Sequence, residues 1–234
     1  MKGKSKKSML LISLALILSV ALFGTLAYLT SEAKVTNTFT VGDVQLTLDE
    51  AKVDLNGKPV QGADRVTGNT YKLIPGKTYV KDPTVTVKAG SEEAYVRMLV
   101  TVNCADKLDE IFGALGTSVI SIFDGIDEDK WAYAGETRKD NTITYEFRYK
   151  TAVSGAAEND VKLDALFDTI TVPGLINNDQ LKALNDGKFE IVVVAQAIQK
   201  EGFDKQDAAW EAFAAQTAYN SKVTTASAVT YKAN

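Results

Sequence analysis

The side chains best suited to chemistry lie in one acidic segment near the middle of the chain. Asp124, Asp127 and Asp129 surround Gly125 in the run DGIDED. Carboxylate oxygens around a glycine resemble part of a calcium-binding loop, although the EF-hand spacing and its terminal bidentate Glu are missing. The same run is also typical of a solvated turn before Trp131. A calcium site on these three aspartates is therefore one prediction, and an unliganded turn is the other.

The 234-residue chain contains no histidine. This excludes Ser-His-Asp and Cys-His catalysis, HExxH zinc sites and every His-ligated metal. A carboxylate-dependent hydrolase stays open, because a glycosidase pair is defined by its separation in space and not by sequence spacing. We predict no catalytic residue, no cofactor other than the calcium candidate, and a protein that is not an enzyme.

Four aromatic residues and the single cysteine are two further candidates for function. Trp131, Tyr133, Tyr145 and Tyr149 are able to form a carbohydrate-stacking platform, but strand alternation more often places such rings in the core. Cys104 ends an apolar strand, where a buried and inert thiol is expected. An interchain disulfide is the alternative role for this cysteine.

The first residues have the layout of a secretory signal. Four lysines precede an apolar run over residues 9–29, and small residues allow a cut between Ala27 and Tyr28. The run is also long enough for a membrane anchor. However, Ser and Thr interrupt it, and no positive cluster follows. We expect residues 1–27 to be a signal peptide and the remainder to be secreted, to the extracellular matrix or the cell surface.

Net charge limits the partners. The chain carries a formal charge of −4, and removal of residues 1–27, with four lysines and no acids, changes this to −8. A negative surface argues against nucleic acid, which requires a basic face. Individual lysines such as Lys77 and Lys81 are expected on the surface.

Period-2 alternation dominates the rest of the chain. This alternation predicts strands at residues 94–102, 142–149 and 189–198. The last of these is so apolar that we expect it to be covered on both faces. Helical spacing appears in two short segments, residues 105–115 and 204–218. Many short strands with few helices predict an all-β sandwich with short helical insertions over residues 43–234.

Residues 28–42 form a candidate donor strand with its linker. Val35, Asn37, Phe39 and Val41 alternate with threonines, and Gly42 then interrupts the pattern. A free terminal strand is able to complete the sheet of a neighbouring molecule, which produces head-to-tail filaments. The alternative is that this strand pairs within its own sandwich.

Five short motifs in the first half of the chain are informative together. They are Gly24-Thr25-Leu26-Ala27-Tyr28-Leu29-Thr30, Asn37-Thr38-Phe39-Thr40-Val41-Gly42, Leu73-Ile74-Pro75-Gly76, Lys81-Asp82-Pro83-Thr84-Val85 and Glu93-Ala94-Tyr95-Val96-Arg97. These motifs resemble the TasA and camelysin (CalY) family of Gram-positive bacteria. The similarity is good over residues 20–102 and weaker through the middle, and Ala197-Ile198-Gln199, Gly202-Phe203 and Ala208-Ala209-Trp210 resemble a clostridial-type branch of the same group. It implies a jelly-roll-like β-sandwich, export through a SipW-type signal peptidase, and donor-strand complementation in fibres of the biofilm matrix.

The resemblance also implies partners: other copies of the chain in a homopolymer and an accessory matrix or anchor protein. Camelysins are classed as metallopeptidases, but this sequence has no histidine for such a site. We therefore expect a secreted structural subunit of extracellular fibres. The alternatives are a cell-surface adhesin or carbohydrate-binding module, and a secreted carboxylate-dependent hydrolase.

Overall fold

The computed structural model describes residues 30–32, 44–155, 158–219 and 229–233, with the backbone alone at 30–32, 217–219 and 229–233. Thirteen strands are described within these ranges. They are β1 (Thr30–Glu32), β2 (Leu46–Asp49), β3 (Thr70–Tyr71), β4 (Thr78–Val80), β5 (Thr84–Val87), β6 (Ala94–Asn103), β7 (Phe123–Asp124), β8 (Trp131–Lys139), β9 (Thr142–Tyr149), β10 (Val161–Lys162), β11 (Thr169–Thr171), β12 (Glu190–Gln199) and β13 (Val229–Ala233).

These strands form one large sheet and two small ones. The large sheet has the order β3-β13-β12-β6-β9-β8, with β1 also paired to β12. The small sheets have the orders β10-β5-β2 and β4-β11-β7. Every described pairing is antiparallel except β13 with β3. The predicted all-β, jelly-roll-like sandwich with helical insertions is confirmed.

Alternation of side chains explains how the sheets share a core. β9 buries every second residue, and β6 does so over most of its length. Except for Tyr95, their buried residues belong to one apolar cluster with residues of both small sheets, as expected when sheet faces pack together. β8 and β9 are joined at Asp140 and Asn141, which both have positive φ, as a two-residue hairpin turn requires.

Within the described ranges, three α-helices interrupt the strands: α1 (Ala105–Ala114), α2 (Asn178–Asp186) and α3 (Gln206–Tyr219). A short 3₁₀ helix spans Val119–Ile122. α1 places four apolar side chains in the main core, and α2 begins with a capping box between Asn177 and Gln180. None of the helices in the described ranges is long and apolar enough to cross a membrane.

One expectation about β12 is corrected. The strand was expected to be covered on both faces, but it buries alternate residues from Glu190 to Ala195 and consecutive residues only over 195–198. The reason is the position of α3. Trp210 and Phe213 of this helix pack with Ile198 and Tyr95 in a second apolar cluster on the outer face of the sheet.

Candidate strand-exchange edge

The two edges of β12 are covered in different ways. One edge pairs with β6 without interruption, from Ile191 opposite Val102 to Gln199 opposite Ala94. The other edge is shared between the two ends of the chain. β13 pairs with residues 190–193, and β1 pairs with residues 196–198. No single strand in the described part of the chain covers this second edge.

The segment β1 is held by few backbone interactions. Its register places Thr30 opposite Ile198, Ser31 opposite Ala197 and Glu32 opposite Gln196. A three-residue pairing offers only a few hydrogen bonds, and each contributes about 0.5–1.5 kcal/mol net. A sheet edge that one strand does not cover along its whole length is a place where another chain is able to pair. β1 has the shortest pairing with β12 among the described strands.

Polar side chains form a row of hydrogen bonds across the strands on the outer face of the sheet, beside this edge. Arg97 donates to Gln196 at 2.8 Å and to Glu146 at 3.3 Å, and Arg148 also donates to Glu146, at 2.6 Å. Trp210 of α3 covers the Arg97 guanidinium, with the ring centroid 4.3 Å away. α3 and these hydrogen-bonded side chains cover the outer face of β12 next to the residues that pair with β1.

The residues predicted for export and exchange lie outside the described residues. This applies to the cleavage residues Ala27 and Tyr28 and to the donor-strand set Val35, Asn37, Phe39 and Val41. These remain predictions.

The described segment between the two predicted sites is β1, which lies within the predicted segment 28–42 but before its alternating residues. It pairs with β12 of the same chain, as the alternative of pairing within its own sandwich expects. Thr30-Ser31-Glu32 has no apolar alternation that marks a strand. β13 was missed, although Val229 and Tyr231 do carry the alternating signal. The edge of β12 itself has no sequence signal, because it is created by the pairing of distant segments.

The acidic segment is engaged in local hydrogen bonds. Asp124 accepts from the Thr171 hydroxyl at 2.6 Å, and the Asp127 carboxylate accepts from the backbone N–H of Asp129 at 3.0 Å. The Asp127 carbonyl also accepts from Trp131 N at 2.8 Å. Within the described ranges, no group of three or more Asp, Glu, Cys or His side chains is placed to hold a metal ion. Calcium binding at Asp124, Asp127 and Asp129 stays a prediction.

The aromatic residues do not form one surface. Trp131, Tyr145 and Tyr149 are buried, whereas Tyr133 is 51% exposed. Packing of the first three in the core leaves one ring for a ligand, so the structure does not assemble the four-ring platform.

Cys104 is buried, as expected. It lies directly before α1 with φ +57°, and burial raises the pKa of its thiol. Its Sγ lies 3.6 Å from the Gly187 carbonyl oxygen. The thiol is therefore held protonated and shielded from solvent.

Comparison with protein-family models, with curated proteins and with solved structures finds no match for this chain. The protein is thus defined by its fold, an all-β sandwich with helical insertions whose β12 edge is paired with both ends of the chain.

Proposed function

We propose that this protein is a secreted, non-enzymatic subunit of extracellular matrix fibres. Each subunit receives the N-terminal strand of a neighbour at the outer edge of β12. A SipW-type signal peptidase cuts between Ala27 and Tyr28 and frees that strand, so assembly takes place outside the cell. The partners are further copies of the chain and an accessory matrix or anchor protein.

The observation that carries the proposal is the pairing of β1 with β12. β1 begins three residues after Ala27, so cleavage creates a chain end immediately before a strand that already occupies the receptive edge. Exchange with a neighbour keeps the same register and the same backbone hydrogen bonds. Its cost is therefore confined to association, as in domain swapping. The resemblance of residues 20–102 to TasA and camelysin supports the same conclusion.

The register permits a covalent test of exchange. Glu32 and Gln196 lie directly opposite each other, and such pairs have Cβ atoms about 4.5–5.5 Å apart. We therefore introduce Glu32→Cys and Gln196→Cys together in a Cys104→Ser background. After assembly and mild oxidation, a ladder of covalent multimers in non-reducing SDS gels is expected, because the two cysteines meet between neighbouring subunits.

Two controls accompany this experiment. Each single cysteine variant in the same background gives at most a dimer and no ladder. A chain that begins at Tyr28 forms filaments in negative-stain micrographs, and deletion of residues 28–41 abolishes them. A compact monomer that carries the disulfide within one chain, together with filaments that survive the deletion, contradicts the proposal.

A further inference from the structure

A buried carboxylate bridges an amine and a carboxamide in this structure. The side chains of Lys81 and Glu50 are 0% exposed, and Asn69 is 8% exposed. Lys81 Nζ donates to Glu50 Oε2 at 2.9 Å, and Asn69 Nδ2 donates to Glu50 Oε1. Charged side chains are rarely buried to this extent, and burial contradicts the expectation that Lys81 lies on the surface.

The orientation of the Asn69 amide follows from its partners. Nδ2 donates to the Ala51 carbonyl at 2.8 Å as well as to Glu50, and Oδ1 accepts from the backbone N–H of Val53 at 2.9 Å. A carboxylate and a carbonyl only accept, and a backbone N–H only donates, so the opposite orientation loses all three bonds. The Val53 N–H therefore polarises the Asn69 carbonyl and is placed to stabilise negative charge that develops on Oδ1.

Lys81 is prepared to act as a nucleophile. An amine attacks a carbonyl only in its neutral form, and burial lowers the pKa of Lys81 to about 7, against the opposing charge of Glu50. The neutral fraction of this amine at pH 7 is therefore larger than that of an ordinary lysine. Burial also raises the pKa of Tyr71, with the Glu50 charge as the next cause, so this neighbouring phenol stays protonated.

We propose that Lys81 and Asn69 form an intramolecular isopeptide bond, with Glu50 as the proton shuttle. Glu50 first takes a proton from the Lys81 ammonium. The Nζ lone pair then forms a bond to Asn69 Cγ, while Val53 N–H stabilises the oxyanion on Oδ1. Glu50 gives its proton to Nδ2 and takes one from Nζ, and the Cγ–Nδ2 bond breaks. Ammonia leaves, a secondary amide joins the two side chains, and Glu50 keeps one proton.

The position of the three side chains explains why the reaction needs no enzyme. Both reacting groups are fixed on one carboxylate in a site closed to water, so the reaction is intramolecular and oriented. Lys81 directly follows β4, and Asn69 directly precedes β3. The bond would therefore tie the end of the long β2–β3 loop to the start of the connection between β4 and β5.

Mass spectrometry tests the proposal on the chain as purified. We expect the denatured protein to be lighter by one ammonia than the mass calculated from its own N-terminus. Trypsin should then yield a branched peptide that joins residues 66–72 to residues 78–88, without cleavage after Lys81. Succinimide formation at Asn56-Gly57 also releases ammonia, but it leaves these two peptides separate.

A matched pair of variants tests the role of the carboxylate. Glu50→Gln removes the proton shuttle and should retain the ammonia and the separate peptides. Glu92→Gln removes an exposed carboxylate and should keep the branched peptide. Separate peptides 66–72 and 78–81 from the unsubstituted chain overturn the proposal, and this result does not depend on whether a variant folds. A branched peptide in Glu50→Gln overturns the assignment of Glu50.

Discussion

Gly57 is a residue whose replacement the structure penalises clearly. Its φ is +71°, and a Cβ atom there would lie 2.8 Å from Tyr79 Cβ and 2.9 Å from Tyr79 Cα. Gly57→Ala should lower the free energy of unfolding by about 2–5 kcal/mol, because left-handed backbone strain adds to overpacking. Urea denaturation measures the loss.

Gly62 provides the control for this prediction. Its φ is +72°, but a Cβ atom there meets nothing within 4 Å. Gly62→Ala should therefore show only the backbone strain, about 1–2 kcal/mol. Equal losses for Gly57→Ala and Gly62→Ala would mean that contact with Tyr79 contributes nothing.

At the residue scale, prediction from sequence succeeds where a side chain follows the local pattern. Burial of Cys104 follows from its place at the end of an apolar strand. Lys81 is the opposite case, because a lysine between Val80 and Asp82 has no local signal for burial. Its environment is made by Glu50 and Asn69, which come from other segments. Only the fold brings these groups together.

At the element scale, α3 is held by a cluster that is separate from the main core. Trp210 is 2% exposed and packs with Phe213 and the Arg97 guanidinium. Trp210→Ala should cost about 3–5 kcal/mol of docking energy. Because the loss falls on this cluster, hydrogen exchange should show reduced protection over residues 206–219 and unchanged protection in β6 and β9.

Glu211 offers a matched substitution on the exposed side of the same helix. Glu211→Ala should leave the exchange pattern of α3 unchanged. If Trp210→Ala instead lowers the protection of the whole sandwich, α3 is part of the cooperative core and the division into two clusters has no energetic meaning.

The same division shows which elements could be predicted from the sequence. Strands such as β9 were found because their alternation is visible within eight residues. β1 lies within the predicted segment 28–42, but the strand was expected at the alternating residues from Val35 on, because Thr30–Glu32 has no pattern of its own. A strand or helix can be predicted from the local periodicity of its sequence. Which strand pairs along an edge of β12 depends instead on the topology of the large sheet.

At the scale of the whole molecule, charge should control the rate of fibre assembly. Without residues 1–27 each subunit carries −8, so subunits repel one another. The Debye length falls from about 30 Å at 0.01 M salt to about 8 Å at 0.15 M. Light scattering should therefore show a shorter lag at the higher salt concentration.

A charge variant provides the control for this prediction. Asp64→Lys with Glu128→Lys, both at exposed positions, changes the net charge from −8 to −4. The double variant should assemble faster at 0.01 M salt and respond less to added salt. A lag that lengthens with salt in either protein would mean that attraction between charged patches dominates over the net charge.

Strand exchange between molecules also predicts complementation in trans. A chain that begins at Val44 lacks β1, so residues 196–198 of β12 lose their partner. A synthetic peptide of residues 28–42 should occupy this edge and stabilise the truncated chain by mass action, by about 2.7 kcal/mol at 100 times its Kd. For a domain of this size the expected rise in Tm is about 5–10 °C. A scrambled peptide of the same composition should have no effect, because it lacks the native order of residues that pairs with 196–198 in the β1 register. The full-length secreted chain should respond weakly, since its edge is already paired. An equal rise in Tm with the scrambled peptide would show that binding at this edge is nonspecific, and exchange would then require a different acceptor.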